Sequence, residues 1–150
     1  MSQKQLDLIV AKQAPAMVAL TKAVIAKLRP RFPGAVELVY DKPRGMVLGF
    51  CADEHASNVI NSIAVYSKWI NLYFFEGDTL PDPEELLRGE GRLVRNIKVT
   101  SAGDLDRPAV KALMAEALRR AWPKLNPKAK RKVVIRQPAP LTLRRAKAPL

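Results

Sequence analysis

The chain has 150 residues, 48% hydrophobic and 27% charged, and Cys51 is its only cysteine, which excludes a disordered, a collagen-like and a disulfide-stapled chain. Its 26 Lys and Arg against 14 Asp and Glu give +12. Nine of those cations and none of the acids follow Trp122, so residues 1–122 carry 17 against 14, or +3, and residues 123–150 hold most of the excess.

The first region reads as helix, because Leu6, Val10, Met17, Leu20, Val24 and Leu28 recur at three to four or seven residues as one apolar stripe with lysines outside it. Ser2 with Gln5 three residues later has the form of a capping box. Pro15 predicts either a kink or a short first helix followed by a second that starts near Pro15. Pro30 and Pro33-Gly34 end the region. The same stretch, residues 6–28, is cut by Asp7, Lys12, Lys22 and Lys27, so it is no membrane span, which needs roughly 20 apolar residues. Ala14-Pro15-Ala16 only mimics a signal cleavage site, with Lys12 and Gln13 just upstream, and cytoplasmic residence is expected.

Strand character follows. Residues 35–40 alternate, the turn Asp41-Lys42-Pro43-Arg44-Gly45 joins them to residues 46–52, and the pair predicts a hairpin. A third run covers 58–66. A fourth, Trp69-Ile70-Asn71-Leu72-Tyr73-Phe74-Phe75, is expected to pair with it through Ser67-Lys68 and, being apolar on both faces, to be a central strand covered on both sides. Residues 76–91 read as a loop holding one helical turn: Asp82 can cap it, Pro83 suits its first position, Glu85 completes the box and Gly89 can stop it. Residues 93–99 predict a fifth strand. Asp106 is placed to cap a last helix, with Leu105 and Val110 as a hydrophobic staple and a stripe of Val110, Leu113, Met114, Ala117, Leu118 and Ala121. Pro123 stops it.

From 123 to 150 the chain has five prolines, runs of Lys and Arg, and too few large apolar residues to offset its ordering entropy. A domain at 1–122 and a basic, Pro-rich, flexible tail at 123–150 are therefore expected. Val133-Val134-Ile135 is available as a sixth, edge strand. The element order implies an α+β fold of two layers, with the N- and C-terminal helices packed on one face of a mostly antiparallel five-stranded sheet.

Several short motifs taken in order, Tyr40-x-x-Pro43, Ile70-Asn71-Leu72-Tyr73-Phe74, Gly77-x-x-Leu80-x-Asp82-Pro83, Leu87-x-Gly89-x-Gly91 and Arg95-x-Ile97-x-Val99, resemble the YdhG-like domain family over roughly residues 30–121. That family is a domain of unknown function. The resemblance implies an α+β fold of secretion-chaperone type and, through a member described as a frataxin-like iron chaperone, a role in holding iron. Frataxin-like binding relies on an acidic ridge along the first helix, and the first helical region here has only Asp7 among several lysines.

Four groups of residues carry candidate chemistry. Cys51 and His55 are four apart, a thiol and an imidazole that helical spacing would bring together, but Cys51 ends a strand and no third group orients the pair. Asp78, Asp82, Glu84 and Glu85, with Glu76 and Glu90 beside them, could offer oxygen ligands to iron or another hard cation, although capping accounts for acids in a first helical turn without any metal. Gly89 and Gly91 with Arg92 and Arg95 form a flexible basic loop able to hold a phosphate or carboxylate, or else a plain turn into the fifth strand. Lys128, Lys130, Arg131, Lys132, Arg136, Arg144, Arg145 and Lys147, with Lys124, form a cationic arm that attracts nucleic acid through counterion release with little sequence preference, or that only solubilises. The expected function is a non-enzymatic binding or accessory module without a cofactor and with a polyanion-attracting tail. The competing readings are a frataxin-like iron chaperone and a binder of a small anionic metabolite that uses the sheet face and residues 89–95.

Overall fold

A computed structural model describes residues 2–136. The N-terminal region is two helices, α1 (Ser2–Ala11) and α2 (Pro15–Leu28), broken where Ala14 turns extended so that Pro15 can open α2 without needing an N–H partner. Leu6, Ile9 and Val10 of α1 and Met17, Val24, Ile25 and Leu28 of α2 are buried.

Six strands follow: β1 (Val36–Lys42), β2 (Gly45–Cys51), β3 (Val59–Val65), β4 (Ile70–Phe74), β5 (Arg95–Val99) and β6 (Lys132–Arg136). They form one sheet in the order β5-β4-β3-β2-β1-β6, antiparallel throughout except for β6, which lies parallel to β1. The α+β class and the antiparallel majority agree with the sequence. The count is six, because Val133 is buried and Ile135 packs on the core, enough apolar surface to seat the segment 132–136 as an edge strand. The fold therefore extends past the boundary expected at Trp122.

The segment between the last helix, α3 (Pro108–Arg120), and β6 is also fitted to the body. Gly34, at φ 75°, lies so close to it that a Cβ would fall 1.9 Å from the Asn126 carbonyl oxygen. Glu37, fully buried on β1, takes two hydrogen bonds from Arg29 at 3.0 Å each and faces Arg131 at 3.8 Å, while Gln3 of α1 accepts from both arginines. One buried carboxylate thus ties α1, the end of α2, β1 and the approach to β6.

Strand register sorts the side chains by face. The cross-strand row Ile135, Val39, Leu48, Ile63, Leu72, Ile97 faces α1, α2 and α3 and belongs to a single core with Val110, Leu113 and Met114. Phe50 stacks on Phe32 at 4.7 Å between ring centres within it. The two rows that flank it, Arg136, Tyr40, Val47, Ala64, Asn71, Lys98 on one side and Val134, Leu38, Gly49, Ser62, Tyr73, Asn96 on the other, face the other way.

Three expectations are corrected. The strands buried on both faces are β2 and, beyond Val59, β3, not β4; β4 lies one strand from the β5 edge and alternates, because Trp69 and Phe75 fall outside it and Asn71 and Tyr73 are only half-buried. Asp82 does receive the N–H groups of Leu86 and Leu87, both at 2.9 Å, but no helical turn grows there, since Glu85 adopts φ 53° and Arg88 pairs with Asn96. Asp106 does not cap α3: it faces Lys27 at 2.6 Å and Arg31 at 3.4 Å, while Ser101 and Asp104 form the capping box of a preceding 3₁₀ turn, Ala102–Asp106. Pro108 opens α3 with Arg107 before it and no side-chain cap.

Candidate functional site

The loop expected to hold an anion is built around Arg95. This residue opens β5, and its guanidinium turns back on its own loop to donate to the carbonyls of Gly91 and of Val94. Gly77 lies against the same side chain, where a Cβ would sit 2.5 Å from that of Arg95. Gly89, at φ 124°, makes the turn that lets Arg88 bridge to Asn96. The structure brings Gly89, Gly91, Arg92 and Arg95 into one loop, yet the donors of Arg95 close that loop. Arg92 is exposed.

The four acids are not gathered. Asp82 is engaged by backbone N–H groups, Glu84 faces Arg107 at 3.8 Å, Glu85 is exposed and Asp78 belongs to the short turn Gly77–Thr79. Among the described residues no three His, Cys, Asp or Glu side chains come together as a metal-sized group. Cys51 and His55 are likewise separated in function. The thiol is buried, and burial first, then the charge of Asp53, pushes its pKa up to about 12. The His55 ring instead lies 3.4 Å from Asp53, whose carboxyl is held below its ordinary range mainly by the His55 backbone N–H.

The cations after Trp122 divide. Lys124 donates to the Arg119 carbonyl, Arg131 reaches Gln3 and Glu37, and Lys132 and Arg136 both reach Glu54, through its carboxylate and its carbonyl. Lys128 and Lys130 are exposed. Arg144, Arg145 and Lys147 lie outside the described residues.

A cavity of about 240 Å³ opens where α3 ends over the start of β3 and the end of β4, with Ile60, Phe74, Leu93, Arg120 and Trp122 among its walls. Of its two charged members, Glu76 is exposed and Arg120 is already occupied, donating to Glu116 and to both oxygens of Thr79. Leu93 and Trp122, at 48% and 79% exposed, leave its rim apolar.

The sheet face turned away from the helices carries a different assembly. Trp69 donates from Nε1 to the Asn71 amide oxygen at 3.0 Å, the Asn71 amide donates to the Tyr73 hydroxyl at 3.3 Å, and that hydroxyl meets the Tyr66 hydroxyl at 3.1 Å. Tyr66 and Trp69 rings lie 5.5 Å apart, and the Lys98 ammonium sits 4.8 Å from the centre of the Trp69 ring. Across the sheet, Lys42 stands over Tyr40 at 5.8 Å. A depression of about 440 Å³ lies at this end, with Val47 and Ala64 as floor and Lys42, Arg44 and Tyr66 around it. Read from the sequence, these aromatics pass for core. The signal that locates them is the interleaving of Trp69, Asn71 and Tyr73 with Ile70, Leu72 and Phe74, a period of two that assigns one set to each face.

No family model, no curated protein and no solved structure matches this chain. Among the described residues, no helix is long and apolar enough to cross a membrane.

Proposed function

We propose that this protein is a non-catalytic accessory module that binds polyanions, nucleic acid first among them. The observation that carries the reading is the sign of the charge on the helix-free face. The outward positions of the six strands hold Lys42, Lys98, Lys132 and Arg136 and no Asp or Glu, because Glu37 and Asp41 fall on the helix side. β6 then leads into the remaining cations of the C-terminal segment. Glu54, from the loop between β2 and β3, pairs with Lys132, and the balance that remains is positive; such a surface attracts a phosphate polymer by releasing its counterions, without any base being read.

The YdhG-like likeness stands beside this as a proposal of fold type, supported by the α+β element order. Its iron-chaperone role has less support, since Asp82 and Glu84 already have partners of their own.

Salt dependence of binding to duplex DNA tests the reading on the full chain. With about six phosphates neutralised, the logarithmic slope is expected near −5, so raising salt from about 50 to 200 mM weakens binding roughly a thousandfold. Replacing Lys128, Lys130, Arg144 and Arg145 by Gln should flatten the slope by roughly 0.9 for each phosphate no longer neutralised. Binding that is absent at low salt, or unaffected by salt, rules the proposal out.

A further inference from the structure

We infer that the helix-free face of the sheet is a stacking platform for unpaired bases, so that the preferred polyanion is single-stranded nucleic acid. The inference rests on the polyanion reading and goes beyond it by naming the strand state and the side chains that select it. Single-strand binding needs two things at once: flat apolar rings open to solvent, and cations beside them to follow the phosphates. Both occur together at one end of this face.

The rings are Tyr66, Trp69 and Tyr73, with Tyr66 exposed and the other two half-buried. They are held in place by the chain of hydrogen bonds from Trp69 through Asn71 and Tyr73 to Tyr66, so little side-chain freedom is left to lose on binding. Burial, and then the bond to Tyr73, raise the Tyr66 hydroxyl to about 12. The cations are Lys98 against Trp69, Lys68 in the β3–β4 turn, and Lys42 and Arg44 beside the depression.

Two features of the sheet shape this end. Register brings Tyr40 of β1 into the same cross-strand row as Asn71 of β4, with only Val47 and Ala64 between them, so a low floor separates the Tyr40 side from the Tyr66–Trp69–Tyr73 side. The parallel pairing of β6 with β1 places Arg136 opposite Tyr40, at the end of the same cross-strand row. A duplex keeps its bases stacked on one another and offers the rings nothing. A single strand offers both bases and phosphates.

The test uses the full chain with Trp122→Phe, so that Trp69 is the only tryptophan and its emission reports on the platform. Oligo(dT), a duplex of equal length, heparin and vesicles of anionic phospholipid are titrated in turn. Oligo(dT) is expected to quench Trp69 and to bind at least about tenfold more tightly than the duplex. Tyr66→Leu together with Tyr73→Leu should weaken oligo(dT) at least about thirtyfold, since two rings are lost at about 1–3 kcal/mol per stacked base, and leave heparin binding unchanged. Tyr66→Phe, which keeps the ring and loses only the hydroxyl, should retain oligo(dT) binding and controls for damage to the fold. Equal affinity for oligo(dT), duplex and heparin with no change in Trp69 emission overturns the platform and leaves the polyanion reading standing. Quenching by vesicles and not by oligo(dT) overturns it in favour of a membrane surface. No binding to any of the four overturns both.

Discussion

Within β4, Ile70, Leu72 and Phe74 are fully buried in the core, and Asn71 and Tyr73 between them are half-exposed and hydrogen-bonded to aromatic neighbours. The same contrast runs across the sheet. The helix side is built of rows of Val, Ile, Leu, Met and Phe, whereas the other side mixes small residues, rings and cations with no carboxylate on any strand. Two faces made by alternate residues of the same strands thus have different tasks. One supplies most of the hydrophobic stabilisation, and the other tolerates exposed polar and aromatic groups that contribute little to it.

The largest expected effect comes from the helix side. Phe74→Ala should destabilise the protein by about 3–5 kcal/mol in denaturant unfolding, since a cavity opens under a ring that is fully buried. A loss under about 1 kcal/mol would break the division between faces. Glu37→Gln should follow at about 3 kcal/mol, because Arg29 would then be left partly buried without its counter-charge. Here the comparison sharpens, as Glu37 is the one carboxylate that strand β1 buries on the helix side.

Ending the chain at Trp122 removes β6 and Arg131. Burying Val133 alone is worth about 1.5–3 kcal/mol, so the melting temperature should fall by more than about 5 °C. An unchanged midpoint would return the whole segment to the status of a tail.

Cys51 belongs to the outward side yet is fully buried, and its behaviour with pH distinguishes burial from exposure on that face. Its thiol is raised from 9.0 to about 12 in the fold, so between those values the unfolded chain gives up a proton that the native chain keeps. Stability from this source is complete below about pH 9 and falls as pH rises, by roughly 1–2 kcal/mol near pH 10. Cys51→Ala should reduce that alkaline loss, and a disulfide reagent should label Cys51 only after unfolding. The smallest effect is expected from Tyr73→Leu, within about 1 kcal/mol of wild type by thermal melting. A loss as large as that of Phe74→Ala would erase the distinction.

The helices and the first five strands were legible because each carries its own period in its own residues. Pro15 marked the break between α1 and α2, and the turn at 43–45 marked the first hairpin. What was not legible depends on partners far along the chain. Val133-Val134-Ile135 offered an edge strand without saying where it would pair, and only the pairing with β1 and the fit of 126–129 against Gly34 give residues 132–136 a place. Asp106 satisfied the local rule for a cap and was taken instead by Lys27 and Arg31, across a gap in sequence no local rule spans. Of the candidate sites, the composition of the basic segment was plain, but its division into cations that face Glu37 or Glu54 and cations left at the surface was not. The outward aromatic residues were misread for a simpler reason: aromatic side chains count as apolar in a periodicity, so Tyr73 and Phe74 look alike until the faces are known.

The parallel strand β6 has a further effect on how the molecule meets other copies of itself. Until residue 136 has been synthesised, β1 has no partner on one side, and it presents a row of backbone donors and acceptors flanked by Val36, Leu38 and Tyr40. An open ladder of that kind is a template for pairing between chains. β6 closes it with a strand only five residues long, carrying Lys132 and Arg136 at its ends, and a short edge bounded by positive charge discourages the next strand from adding. The last of the described strands to be made is therefore also the seal on the β1 side of the sheet.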